Sequence, residues 1–174
     1  MISKMTPFPV ALLLGIAGMF AATDTFADDC DAVMTATLAQ LQMPYRATVS
    51  FSNINGKPYT SETEYTGGKV YAQLNGGAWQ RSPVAAQEMI DQMKKSYKTS
   101  KHSCQHVGDE SLGGQPASVY TANFQSPHSH SDNRIWISRS RGVLLKSWAH
   151  IDEGNTTMTT IYEYENIQPP AGVK

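Results

Sequence analysis

The chain has 174 residues, with 14 Lys plus Arg against 15 Asp plus Glu and a formal net charge of −1. That balance excludes a strongly basic nucleic-acid binder and an acidic solvating tail. Hydrophobic residues at 40% suffice for one packed core, and 13 Gly and 9 Pro among many Thr, Ser and Tyr indicate strands and turns rather than a helical bundle.

Lys4 precedes an uncharged apolar run from Phe8 to Ala22, and Thr25-Phe26-Ala27 places small residues three and one before a cut. These are the three regions of a secretory signal peptide, so residues 1–27 are expected to be cleaved near Ala27, leaving one mature domain over 28–174. The apolar run falls short of the ~20 residues that span a bilayer. Cys30 follows Ala-Asp-Asp rather than a Leu-x-x-small lead-in, which argues against a lipid anchor. The expected product is soluble in an exported compartment, most simply a bacterial periplasm. There Cys30 and Cys104 are expected to pair, closing a loop worth roughly 3–4 kcal/mol in the chain-entropy model. The alternative is that Cys104 serves as a metal ligand.

Residues 29–42 read as a helix, capped by Asp28 or Asp29, with Val33, Thr37, Leu38 and Leu41 along one side and Pro44 beyond its end. The period then changes to two: Tyr45, Ala47, Val49 and Phe51 alternate with polar residues, the pattern of a half-buried strand. Asn55-Gly56 predicts a hairpin into a strand with Tyr59, Ser61, Thr63 and Tyr65 on one face. Gly67-Gly68 and Gly76-Gly77 predict two more turns, into Lys69–Asn75 with Val70, Ala72 and Leu74 inward, and into a short strand carrying Trp79. Ser82-Pro83 predicts the start of a second helix over 84–97, with Ala86, Met89, Ile90, Met93 and Tyr97 on one side. Five strands follow, at 98–107, 118–125 (Tyr120, Ala122 and Phe124 on one face), 134–140, 143–151 and 156–167, with a polar loop over 126–133.

The expected architecture is therefore α+β: a strongly curved antiparallel sheet of about nine strands, close to a half-barrel, with both helices packed on its concave face. The mouth of such a sheet is a common place for an apolar cavity.

In this arrangement the chain resembles the LolA/LolB-like superfamily of periplasmic lipoprotein carriers. The resemblance lies in the first helix followed by Tyr45-Arg-Ala-Thr-Val-Ser-Phe51, in Gly68-Lys-Val-Tyr71 and Asn75-Gly-Gly-Ala-Trp79, in Arg134-Ile-Trp-Ile-Ser138 with Arg141-Gly142-Val-Leu-Leu-Lys146, and in the ending Ile167-Gln-Pro-Pro-Ala-Gly-Val173. It spans nearly all of 28–174 in short pieces. It implies a half-barrel whose helices lid a hydrophobic cavity that receives acyl chains. The candidate cavity residues are Val49, Phe51, Val70, Leu74, Trp79, Met89, Met93, Tyr120 and Phe124.

Two histidine patterns carry possible metal chemistry. His102, Cys104 and His106 share one face of a strand, and imidazole with thiolate suits Zn or Cu. Such side chains stand roughly 7 Å apart, so one ion would need a bend to collect them. His128, His130 and Asp132 form a second cluster, and convergence of His102, His106, His128 and His130 would favour a metal site. No nucleophile has an evident base and no Gly-rich segment opens a helix to cradle phosphate, so an enzyme is not expected and no cofactor is implied. The leading expectation is a non-enzymatic periplasmic protein that binds a lipid, an acylated protein or another apolar ligand. The alternatives are a protein-interaction module, a sensor or inhibitor using the sheet edge or loops, and a periplasmic metal binder. A nucleic-acid partner is not expected.

Overall fold

The computed structural model describes residues 29–54, 57–127 and 129–173. The expected signal segment with its cut near Ala27, the Asn55-Gly56 turn and His128 lie outside the described residues. Helix α1 (Asp29–Gln40) leads into a meander of β1 (Tyr45–Ile54), β2 (Lys57–Thr66), β3 (Lys69–Leu74) and β4 (Gln80–Arg81). Helix α2 (Ala86–Thr99) connects this to a second meander of β5 (Lys101–Leu112), β6 (Gln115–Ser126), β7 (Ser129–Ser138), β8 (Leu144–Ile151) and β9 (Thr156–Glu163). The strands form one curved antiparallel sheet in the order β4-β3-β2-β1-β9-β8-β7-β6-β5 that does not close into a barrel. This is the α+β half-barrel the alternation called for.

The two meanders meet where β1 pairs β9, from Arg46 opposite Glu163 to Phe51 opposite Met158. Both outer strands, β4 and β5, are then neighbours in sequence and opposite edges in space, so α2 has to cross from one edge to the other. Fourteen residues at ~1.5 Å each supply about 21 Å of helix for that crossing.

Helix α1 is seated firmly. Its Val33 and Ala36 are buried with Ala122, Ile135, Ile137 and Leu144 of the sheet. Cys30 is bonded to Cys104 of β5 across a sequence separation of 74. Asp29 Oδ2 accepts a hydrogen bond from the His106 amide at 2.8 Å. One turn of helix is thereby tied twice to the edge strand. The sheet's other face carries its own small cluster of Ala117, Val119, Trp136 and Leu145. Trp136 lies between the Arg134 guanidinium and the Lys146 ammonium, 5.2 and 4.8 Å from the ring centre, and its indole N–H donates to Glu110 at 2.8 Å. On the same face Glu64, 2% exposed, is held by Arg46 at 2.5 Å, while Glu163 stands 3.9 Å from the same guanidinium.

Several boundaries differ from the sequence expectation, each for a tertiary reason. Helix α2 starts at Ala86 rather than directly after Ser82, because the Ser82 amide still donates to Val70 O at 2.8 Å and extends the β3–β4 ladder. The Ser82 hydroxyl accepts instead from the Val84 amide at 3.2 Å, bracing a turn rather than capping a helix. Trp79 precedes β4 rather than lying in it. Strand β5 starts later and runs longer than 98–107, passing a bulge at Gly108, whose φ of 138° suits only glycine. The region taken as a polar loop, 126–133, is mostly strand: Ser126 opposes Ser129, and Asn123 donates to Asp132 across the pair at 2.8 Å. Apolar alternation is missing there because this end of the hairpin is solvated. Strand β9 stops at Glu163, and Tyr164 turns to donate its hydroxyl to Leu144 O.

Two stability outcomes follow. Cys104→Ser is expected to lower unfolding free energy by about 3–4 kcal/mol, read as a shift of the denaturant midpoint, with an identical shift on reducing the wild type. Arg46→Met strands the Glu64 carboxylate and is expected to cost about 2–3 kcal/mol, whereas Glu163→Gln, at an exposed partner, costs at most about 0.5 kcal/mol in the same measurement.

Candidate functional site

Beneath α2 the concave face carries a shelf of tyrosines. Alternation along β1, β2 and β9 brings Tyr45 to 5.8 Å from Tyr65 and 6.3 Å from Tyr162, centre to centre. Burial pushes the Tyr45 phenol up to about 12 and raises Tyr162 and Tyr164 as well, so all three are neutral donors at any ordinary pH. Ile90 and Met93 of α2 rest on this shelf with Leu41 and Ala47. The helix is sharply amphipathic, yet none of its side chains is fully buried. It touches the sheet through one strip and otherwise stands free, unlike α1.

Between the two helices, above β6 and β7, lies a hollow of about 640 Å³. Val33 and Met34 of α1 form one wall, Met89, Met93 and Tyr97 of α2 the other, and Phe124 of β6 the floor. Its rim is hydroxyl-rich: Thr37, Ser96, Ser100, Ser126, Ser129 and Ser131. Among the described residues no charged side chain lines it. The volume sits inside the ~300–1,000 Å³ usual for small-molecule sites, and an apolar interior with a few neutral polar groups is their usual chemistry. Methionines on both walls can repack around different shapes. His102 backs this wall, stacked on Tyr97 at 4.1 Å and 6.2 Å from Phe124.

Of the nine expected cavity residues, Met89, Met93 and Phe124 line this hollow. Val49 and Phe51 share the concave face of β1, and Phe51 packs on Tyr59 at 5.7 Å, away from the hollow. Val70 is buried in β3 opposite Tyr65. Tyr120 packs under α1 beside His106. Leu74, expected inward, is 55% exposed, because β3 runs past the helices and ends uncovered at the sheet's rim. Trp79 lies half-buried in the connection before β4. The lining that sequence alternation missed is the serine rim and α1's Met34. No local pattern marks them, since they meet only through the placement of two helices.

Among the described residues, the expected histidines do not converge. His102 and His106 flank Cys104 on the concave side, where the disulfide already uses its sulfur. His130 pairs with Gln125 and points to the opposite face, with Asn123 and Asp132. Strand parity thus places His102 and His106 on one side of the sheet and His130 and Asp132 on the other. Among the described residues no group of three or more His, Cys, Asp or Glu is arranged to hold a metal ion. His130 Nδ1 instead donates to the Asp152 carboxylate at 2.7 Å, and His150 stands 3.7 Å from the same carboxylate. The Asp152 hydrogen bond raises the His130 pKa above its ordinary value.

A wider depression of about 1010 Å³ lies against Thr121, Asn123, Asp132, Arg134 and Trp148. Its polar groups are largely spent on one another, Asn123 on Asp132 and Arg134 on Glu110. The free edge of β5 is likewise interrupted, by Asp29 on the His106 amide and by the Gly108 bulge, the devices that keep an edge from pairing with another chain.

No family model and no curated protein sequence matches the chain. Among solved structures, the lipoprotein LppX of Mycobacterium tuberculosis superposes with a TM-score of 0.51 at 10% identity, over 79% of this chain and 97% of LppX. The MucA/MucB complex of Pseudomonas aeruginosa gives 0.46 at 17% identity, over 83% and 62%. A LolA superfamily protein of Nitrosomonas europaea gives 0.31 at 8%, over 77% and 90%. The chain shares the fold of LppX, one open curved antiparallel sheet carrying two helices.

The His130–Asp152 pair predicts a pH dependence with a definite sign. A raised folded-state pKa contributes stability below the unfolded value of ~6.5 and loses it as pH rises through the folded one. Asp152→Asn should therefore lower the His130 midpoint in an NMR titration, and the stability gap between wild type and variant should be wider at pH 5 than at pH 8.

Proposed function

We propose that this protein binds a lipid, or the acyl chain of an acylated protein, in the hollow between α1 and α2, and does so without catalysis. The observation that carries this reading is the composition of the hollow: an apolar interior of Val33, Met34, Met89, Met93, Tyr97 and Phe124 beneath a rim of uncharged hydroxyls. An acyl chain entering it gains about 0.8 kcal/mol for each methylene removed from water. The serines offer donors and acceptors to an ester or alcohol at the chain's head. Helix α2 suits the part of a lid. Its apolar strip rests on the tyrosine shelf without a fully buried side chain, so lifting it exposes little that a ligand would not cover again. The disulfide holds α1 still while α2 moves.

The rest of the reading follows from the export signal. Residues 1–27 address the chain out of the cytoplasm, and 28–174 act as one mature domain in the periplasm. A disulfide between Cys30 and Cys104 is consistent with an oxidising compartment. The fold supports carriage as a class of function, and a fold hosts many functions, so the site carries the argument.

The test is a fluorescent apolar probe. It should bind the wild type saturably and be displaced by fatty acid or phospholipid. Met93→Asp places an unpartnered charge in the hollow and should weaken probe binding more than tenfold. Leu74→Asp, away from the hollow, should leave it unchanged. Absence of saturable probe binding by the wild type would remove the lipid reading.

A further inference from the structure

The C-terminal turn of α2 and the start of β5 carry Lys94, Lys95, Lys98 and Lys101, four of the chain's nine lysines within eight residues. All four are exposed. Among the described residues none of them is in an ion pair. The helix's own acids are turned elsewhere: Asp91 accepts from Gln87 at 3.0 Å and Glu88 from Gln92 at 3.4 Å. In a chain of net charge −1 this is a local excess of positive charge. The helix dipole accounts for little of it, since a C-terminus offers only about half a negative charge, and Lys101 already lies in β5.

The position of this cluster gives it meaning. The same turn supplies Ser96, Tyr97 and Ser100 to the rim of the hollow. Along 94–100 lysines and rim residues alternate, and whatever Lys94, Lys95 and Lys98 rest on is brought against the mouth, whereas Lys101, opposite Gln125 and one residue before His102, faces the other side of the sheet. We infer that Lys94, Lys95 and Lys98 dock the mouth of the hollow onto an anionic lipid bilayer, so that an acyl chain passes between membrane and hollow without crossing water. This rests on the lipid-binding reading above and adds to it the surface from which the ligand comes. The partner is identified by charge: three ammonium groups on long flexible stems, none in an ion pair among the described residues, suit a diffuse negative surface, where each basic residue is worth roughly fivefold in partitioning. A protein partner would call for a shaped apolar patch, and the exposed large hydrophobics among the described residues, Leu74, Val107 and Ile161, lie on three different strands.

The experiment is co-sedimentation of the exported protein with vesicles of phosphatidylcholine alone or with about a third phosphatidylglycerol. Wild type should bind the anionic vesicles at least tenfold more tightly in low salt, and the difference should collapse in high salt. Replacing Lys94, Lys95 and Lys98 by Gln should remove that preference, and replacing the same three by Arg should retain it. Circular dichroism and thermal midpoints should stay at wild-type values in both. Equal binding to the two vesicles, or an unchanged preference in the Gln variant, overturns the inference. So does displacement by soluble glycerol 3-phosphate at millimolar levels, which would mark a site for a free phosphate rather than for a bilayer. The apolar probe separates the two readings. The Gln variant should bind it normally in solution, so loss of vesicle preference with intact probe binding is a failure of docking alone. Absence of probe binding by the wild type is a failure of the hollow.

Discussion

The pairing of β1 with β9 is the constraint from which the rest of the architecture follows. It joins two meanders that could each have stood as a separate small sheet, and it places the strands on either side of α2 at opposite edges. Backbone amides and carbonyls along Arg46–Phe51 are shared alternately between Met158–Glu163 and the β2 strand on the other side, so the ladder is held by obligatory hydrogen bonds as well as by side chains. With the edges apart, the connection between them can run only over one face. The apolar strip of Met89, Ile90 and Met93 selects the concave one, where the tyrosine shelf waits. A covered, incompletely filled concavity is the consequence.

The two helices divide the work through how they are seated. Helix α1 is bonded to β5 by Cys30–Cys104, tied to it again by Asp29, and buries Val33 and Ala36 in the main core. Local opening there means breaking core contacts under a covalent constraint. Helix α2 buries no side chain completely and is anchored only at its two ends and by one strip. Segments with few buried contacts open at low free energy, and ligand-binding lids come from that class. The hollow thus has one fixed wall and one yielding wall, with methionine on both.

Strand parity governs the remaining chemistry. In β5, β6 and β7 a shift of one residue changes the side of the sheet, and His102 and His106 fall on the opposite side from His130 for that reason. The concave side keeps His102 as packing behind Tyr97, and the other side keeps His130 in a titratable contact with Asp152. The same parity buries Glu64 on the outer face, where Arg46 from the adjacent strand compensates it.

Much of this was readable from local order. The alternation of Tyr45, Ala47, Val49 and Phe51 identified a strand and its inner face, the glycine pairs marked the turns, and the spacing of Met89, Ile90 and Met93 identified the covering helix, because each signal lies within one element. The pairing of Cys30 with Cys104 was accessible too, since two cysteines admit one bond. What local order could not carry was anything requiring elements far apart in sequence to be set in register. The β1–β9 ladder, the late start of α2 held back by Ser82 on Val70, the exposure of Leu74 and the serine rim all belong to that class. A side chain's face is set by its own strand's period, which its immediate neighbours encode. Its burial is set by which element lies over it, and that follows from backbone pairing between residues whose sequence contains no record of their partners.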